Sequence, residues 1–259
     1  MDKFITELTE ALTQPAMQRE MLSGIWETVY STFLATFLAC LIGLVLGVLL
    51  VAGGRNGVRP LPPLLMRILN IVINILRSVP FLILMVMLLP VFKPLIGTSI
   101  GTPATILPLV VAAAPFVARL VETSLREVDK GVIEAAQSMG CSPFQIIWKV
   151  ILPESLPGLV GGFVTALITI LGYGSMAGFI GGGGLGKIAV NYGYNKFNYG
   201  VMFVAVVLIV VLVQLFQSIG THIAVSLDHR LTDRSGRRRG RKAVSSSVRD
   251  DKDTPGTMG

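Results

Sequence analysis

Carboxylates are missing from most of this chain. No Asp or Glu lies between Glu27 and Glu122, and none between Glu154 and Asp228, so two stretches of more than 70 residues carry no acid at all. Apolar side chains take their place. Of 259 residues 52% are hydrophobic and only 14% are charged, with a mean hydropathy of +0.71, whereas a soluble domain carries roughly 25% charged residues. The composition argues against a water-soluble globular enzyme, confines disorder to the chain ends and points to a polytopic membrane protein.

A helix that crosses ~30 Å of hydrocarbon needs about 20 apolar residues. Five segments supply them, at 32–52, 71–92, 104–121, 156–180 and 201–225, and there is no sixth. The expected fold class is therefore all-α with five transmembrane helices and the two termini on opposite sides. Basic residues assign the sides. One side holds Arg55, Arg59, Arg67, Arg77, Arg119, Arg126, Lys130, Lys149 and the nine basic residues from Arg230 onward, 17 in all; the other holds Lys3, Arg19, Lys93, Lys187 and Lys196. This predicts an N-terminus outside and a cytoplasmic C-terminus.

Three regions follow: an extracytoplasmic segment 1–23, a transmembrane domain 24–225 and a basic tail 226–259. Asp2, Glu7 and Glu10 stand where a signal peptide would be basic. Phe4, Ile5, Leu8 and Leu12 share one helical face, which fits either a short interfacial helix or a solvated extension. The tail, with Arg237, Arg238, Arg239, Arg241 and Lys242, marks the cytoplasmic face and suits contact with anionic membrane lipid rather than nucleic acid. Its last residues, 245–259, are polar and expected to be disordered.

Several local features invite a functional reading. Gly43 and Gly47 make a GxxxG step that permits close helix approach. Pro80, Pro90, Pro108 and Pro115 interrupt the second and third spans, and Arg77 sits near enough to the cytoplasmic end of the second to snorkel. Residues 181–187 satisfy seven positions of a GxxxxGK phosphate loop, but Ile188 replaces the hydroxyl residue and the run follows a span on the outward side. Turn glycines are the better reading. His222 and His229 stand alone, without metal-ligand spacing, and Cys40 and Cys141 are expected to be far apart and reduced.

The acids return in the longest cytoplasmic connection, 122–154. Asp129 can cap a short helix through Met139, with Gly140 as its stop. Ser142 then caps a new helix, Pro143 is its first residue and Gln145 completes a capping box. The residues alone leave open whether this loop packs on its own bundle or docks a partner.

The order Glu134-Ala135-Ala136, Gly140, then Ile151-Leu152-Pro153 resembles the EAA signature of ABC-transporter membrane subunits. That resemblance implies that the first short helix is a coupling helix docking in a cleft of an ATPase subunit. Ala135 and Ala136 would let the partner approach, Glu134 would offer a charged contact, Gly140 would permit the turn and Pro153 would close the motif. Further stretches resemble the methionine-uptake branch, among them 74–81 (NILRSVPF), 97–101 (GTSIG), 114–119 (APFVAR), 172–176 (GYGSM), 183–186 (GGLG) and 192–194 (YGY), over residues 24–224. The implied fold is that of a type I ABC importer permease in a bacterial inner membrane. The implied assembly is a homodimer with two ATPase subunits and an extracytoplasmic substrate-binding lipoprotein. The chain would catalyse no covalent chemistry and hold no cofactor, since ATP and Mg belong to the ATPase. Its implied cargo is methionine of either handedness, with another amino acid or small solute as the alternative. Tyr173, Ser175 and Met176 would line the pathway, Met176 at a gate-like position, with helix packing as the plainer role. A secondary transporter would be expected to carry acids or His within its spans, and the five spans hold no carboxylate.

Overall fold

The computed structural model describes residues 2–227, most of them helical; the basic tail and the disorder expected in it lie outside that range. Helix α1 (Asp2–Thr13) is followed by α2 (Pro15–Ala52), which starts with Pro at a first-turn position where no N–H is needed. At 38 residues α2 is about 57 Å long, far longer than the span expected at 32–52. The N-terminal segment is largely exposed but not free. Ala11 is buried, the Phe4 ring meets Phe203 edge-on at 6.0 Å, and the Gly200 N–H donates to the Glu7 carboxylate at 3.2 Å.

The expected second span at 71–92 is not one helix. It is split into α3 (Pro63–Ser78) and α4 (Phe81–Ile96), bent by 108°. Pro80 causes the break, because a proline drives the residue before it out of the helical region, and Val79 indeed adopts φ −76°, ψ 128°. The other prolines do not interrupt: Pro90 lies inside α4, and Pro108 and Pro115 lie inside α5 (Thr102–Arg126).

Side-chain pairings settle how often the chain crosses the bundle. Glu27 meets Thr102, Gly43 faces Val117 and Gly47 faces Val121, so α2 and α5 run parallel. Ala52 and Thr102 therefore lie at opposite ends, and the bent α3–α4 pair carries the chain between them. Helix α8 (Leu152–Ala177) runs antiparallel to α5, with Gly158 against Ser124 and Gly162 against Leu120, and Gly220 of α10 (Tyr199–Leu227) rests on Val164 of α8. The four long apolar helices and the bent pair make five passes.

Small residues form the seam of this bundle. A Cβ on Gly43 would lie 2.5 Å from Val117, and one on Gly47 would lie 2.5 Å from Val121 and 2.9 Å from the Ala118 carbonyl. Ala35, Ala39, Ala113 and Ala166 are completely buried around it. In lipid the driving force is close backbone approach rather than exclusion of water, which explains why the interior is small and the large aliphatic residues of α2, α4 and α10 face outward.

Candidate functional site

At the Arg126 end the chain builds two short helices from local signals. Asp129 caps α6 (Lys130–Ser138), its Oδ1 accepting from the Gly131 N–H at 2.6 Å. The helix stops where Gly140 takes φ +77°; the Gly140 N–H donates to Gln137 O and the Cys141 N–H to Ala136 O, the paired closure of a Schellman turn. Ser142 and Gln145 then form the capping box of α7 (Pro143–Ile146), with the Ser142 N–H donating to Gln145 Oε1 at 2.8 Å. A π-helical turn over Ile147–Ile151 leads into α8, so the Leu152 N–H reaches back five residues to Ile147 O just ahead of Pro153, which has none to give.

These residues do not all face one way. Glu134, Ala135, Gly140 and Pro153 are exposed, but Ala136 is 2% exposed and packs in the core cluster that holds Ile146 and Ile151. Ala136 therefore does not present itself to a partner; it pins α6 to its own bundle, since a larger side chain would lift the helix off. Around the exposed residues stand Val132, Met139 and Phe144, apolar and open. A cleft of about 630 Å³ separates α6 from the 53–58 turn, with Arg55, Lys130 and Glu134 on its walls.

A polar junction ties α3 to the same end. Arg119 donates to Glu122 and, through Nη2, to Asn70 and Asn74 at 2.9 Å each, while Arg126 donates to Glu122 at 2.8 Å. Sequence reasoning missed this junction. Its signal was Asn70 and Asn74 one turn apart on an apolar helix.

The proposed pathway residues on α8 separate. Tyr173 stacks flat on Phe81 at 4.4 Å, directly at the α3–α4 break, and Met176 is 48% exposed. Ser175 does not join them. Its hydroxyl donates to Leu171 O at 3.0 Å, and its backbone lies against Gly186.

At the Glu27 end one carboxylate holds three elements. Glu27 Oε2 accepts from Thr102 Oγ1 at 2.6 Å and from the Gly184 N–H at 2.8 Å, while Thr28 Oγ1 accepts from the Leu185 N–H at 2.9 Å. The glycine run is thus a tight turn, with Gly181 and Gly184 at positive φ and no room for a Cβ at Gly183. It cannot cradle phosphate, because protein oxygens already take the N–H groups of Gly184 and Leu185 at the head of α9 (Gly184–Ile188). Nearby, the Tyr192 hydroxyl donates to Glu20 at 2.7 Å; that bond, with burial and the Glu20 charge, raises its pKa above the ordinary phenol value.

Five passes, a signature helix anchored at one end and a carboxylate clamp at the other frame the comparison with known proteins. Residues 50–229 match the family described as binding-protein-dependent transport system inner membrane component. The chain belongs to this family. Its members are transport subunits. A probable D-methionine transport system permease protein of Vibrio cholerae is 52% identical over 164 residues, 63% of this chain and 73% of the relative. The methionine import system permease protein of Bacillus subtilis is 50% identical over 159 residues, 61% of this chain and 72% of that protein. In three dimensions the chain matches the MetNI methionine ABC transporter in an inward-facing conformation, with a TM-score of 0.81 and 43% identity over 84% of this chain and 100% of that one. An amino acid ABC transporter at 18% identity and TM-score 0.69 shares the fold. The architecture is that of a type I ABC importer permease.

Proposed function

We propose that this permease imports methionine, with two copies forming the pathway between them. The observation that carries the cargo is the likeness, at 52% and 50% identity, to permeases named for methionine transport. In this reading the Arg126 end faces the cytoplasm and two ATPase subunits, which hold ATP and Mg, and the Glu27 end faces a substrate-binding lipoprotein. The basic residues support that orientation, since Arg55, Arg59, Lys130 and Lys149 collect at the Arg126 end.

Coupling follows from how α6 is held. Its exposed face, with Glu134, Ala135, Val132 and Met139, meets the ATPase. Its buried face, through Ala136, is continuous with Ile146, Ile151 and the α5–α8 core. When ATP draws the two ATPases together, α6 moves as a unit and carries the cytoplasmic ends of α5 and α8, opening one side of the pathway as the other closes. Arg119 brings α3 along through Asn70 and Asn74.

Reconstitution with ATPase and binding protein tests this. Labelled methionine should accumulate in proteoliposomes with ATP, in preference to polar amino acids; preference for another amino acid removes the cargo assignment. Glu134→Lys should lower uptake about tenfold, the equivalent of ~1.4 kcal/mol of docking energy, in a complex whose permease remains folded. Normal uptake by that variant would take the coupling role away from α6. For the orientation, single cysteines at Lys187 and Met139, both exposed, in a Cys40→Ser/Cys141→Ser background should react with an impermeant reagent from outside and from the cytoplasm respectively. The reverse pattern inverts the topology.

A further inference from the structure

The break between α3 and α4 opens a cavity of about 180 Å³, lined by Arg77, Val79, Phe81, Ala112, Phe116 and Tyr173. It is larger than the ~150 Å³ of an apolar cavity that admits benzene. Its depth is informative. Ala112 and Phe116 each stand ten residues from the nearer end of α5 (Thr102–Arg126), or about 15 Å of helix, so the cavity lies mid-bundle and Arg77 is deeper than a snorkelling residue at the membrane edge.

Arg77 has no hydrogen-bond or ion-pair partner among the described residues, whereas Arg119 is engaged by Glu122, Asn70 and Asn74. Its own stretch of sequence offers it no acid, since none occurs between Glu27 and Glu122. A guanidinium stays charged at any physiological pH, and an ionised group at this depth in a membrane protein normally has a partner or a task. Arg77 is exposed in the single chain. Irregular backbone at membrane depth is tolerated where it lines a cavity, and such broken helices hold substrate in other transporters. Beside the cation stand the flat Phe81–Tyr173 stack, at 4.4 Å between ring centres, and Phe116.

We propose that this cavity is a transient cargo site, in which Arg77 receives the carboxylate of an amino acid and the Phe81, Tyr173 and Phe116 rings receive its unbranched apolar side chain. The guanidinium fork matches a carboxylate with two parallel hydrogen bonds, and polarisable thioethers pack favourably against aromatic rings. The site rests on the reading that the cargo is methionine. It assigns cation and rings to different halves of one zwitterion, which accounts for a charged and an aromatic wall in one small space.

The test uses the full complex, with ATPase and binding protein, in proteoliposomes. A diazirine analogue of methionine should label peptides containing 77–81 or 173 in the wild-type complex. Arg77→Gln should lower that labelling and the uptake of methionine at least tenfold, while ATP hydrolysis stimulated by the loaded binding protein stays within twofold; Arg77→Lys should keep at least a third of the uptake. Wild-type uptake and labelling by Arg77→Gln would overturn the site and leave the methionine reading standing. A wild-type complex that imports no methionine would overturn both. Loss of uptake that disappears in vesicles of purely zwitterionic lipid would mean that Arg77 holds an anionic lipid headgroup, which overturns the site. Should Arg77→Gln fail to assemble, the wild-type labelling decides alone: no label at 77–81 or 173 overturns the proposal.

Discussion

The short helices at one end of the bundle and the glycine turn at the other are shaped in opposite ways, although Arg119 also ties α3 to the first end through Asn70 and Asn74. At the Arg126 end the capping bonds join residues two or three apart, Asp129 with Gly131 and Ser142 with Gln145. At the Glu27 end the partners are remote: Glu27 and Thr102 are 75 residues apart, and Glu27 and Gly184, like Thr28 and Leu185, are 157 apart. Local capping gives α6 and α7 their shape, while Ala136 and Ile146 join them to the core of the bundle. Long-range bonds make the other end a knot of α2, α5 and the glycine turn, which has to give way as a whole.

Substitution at each end can break that contrast. The largest effect is expected for Glu27→Ala, which strands the Gly184 N–H and the Thr102 hydroxyl in a partly buried place. At ~1–3 kcal/mol for each unsatisfied group, a loss of about 3 kcal/mol is expected, read as a lower unfolding temperature in detergent. Hydrogen exchange should quicken together at 102–105 and 181–185, far from the mutation in sequence. Faster exchange confined to the neighbourhood of residue 27 would show that this end is not a knot. A smaller effect is expected for Gly140→Ala. No atom lies within 4 Å of the added Cβ, so the cost is the φ of +77° alone, about 1.5 kcal/mol. Exchange should rise in α6 and its turn and nowhere else; a rise spreading into α2 or α10 would mean that α6 is not shaped locally.

The same contrast explains what could be read in advance. Residues 129–145 were legible because every partner that shapes them lies within one turn, and residue type at fixed spacing is what capping needs. The burial of Ala136 was not legible, because which of two adjacent alanines faces the core depends on how α6 lies across Ile146 and Ile151. The four prolines looked alike, yet only Pro80 splits the helix; α5 and α4 tolerate theirs within packed surroundings. Ser175 was grouped with Tyr173 and Met176 by resemblance, and the contact of its backbone with Gly186 was not legible in the sequence. Arg77 and Arg119 were equivalent basic residues in apolar segments until Asn70, Asn74 and Glu122 were found around one of them and none around the other.

Hydropathy and the absence of acids determined that this chain is a membrane bundle of five passes, because a backbone in lipid can satisfy itself only as helix and each pass needs a length of apolar residues that composition alone reveals. Charge counting and capping chemistry likewise act over short ranges or by simple summation. Tertiary structure alone decided which residues meet across the bundle: the parallel pairing of α2 with α5, the clamp of Glu27 on Thr102 and Gly184, and the placement of Arg77 at mid-depth beside Phe81 and Tyr173. Those contacts join remote segments, and although the Gly43–Gly47 step announces a close helix approach, that Val117 and Val121 of α5 are what it meets is decided only when the helices pack.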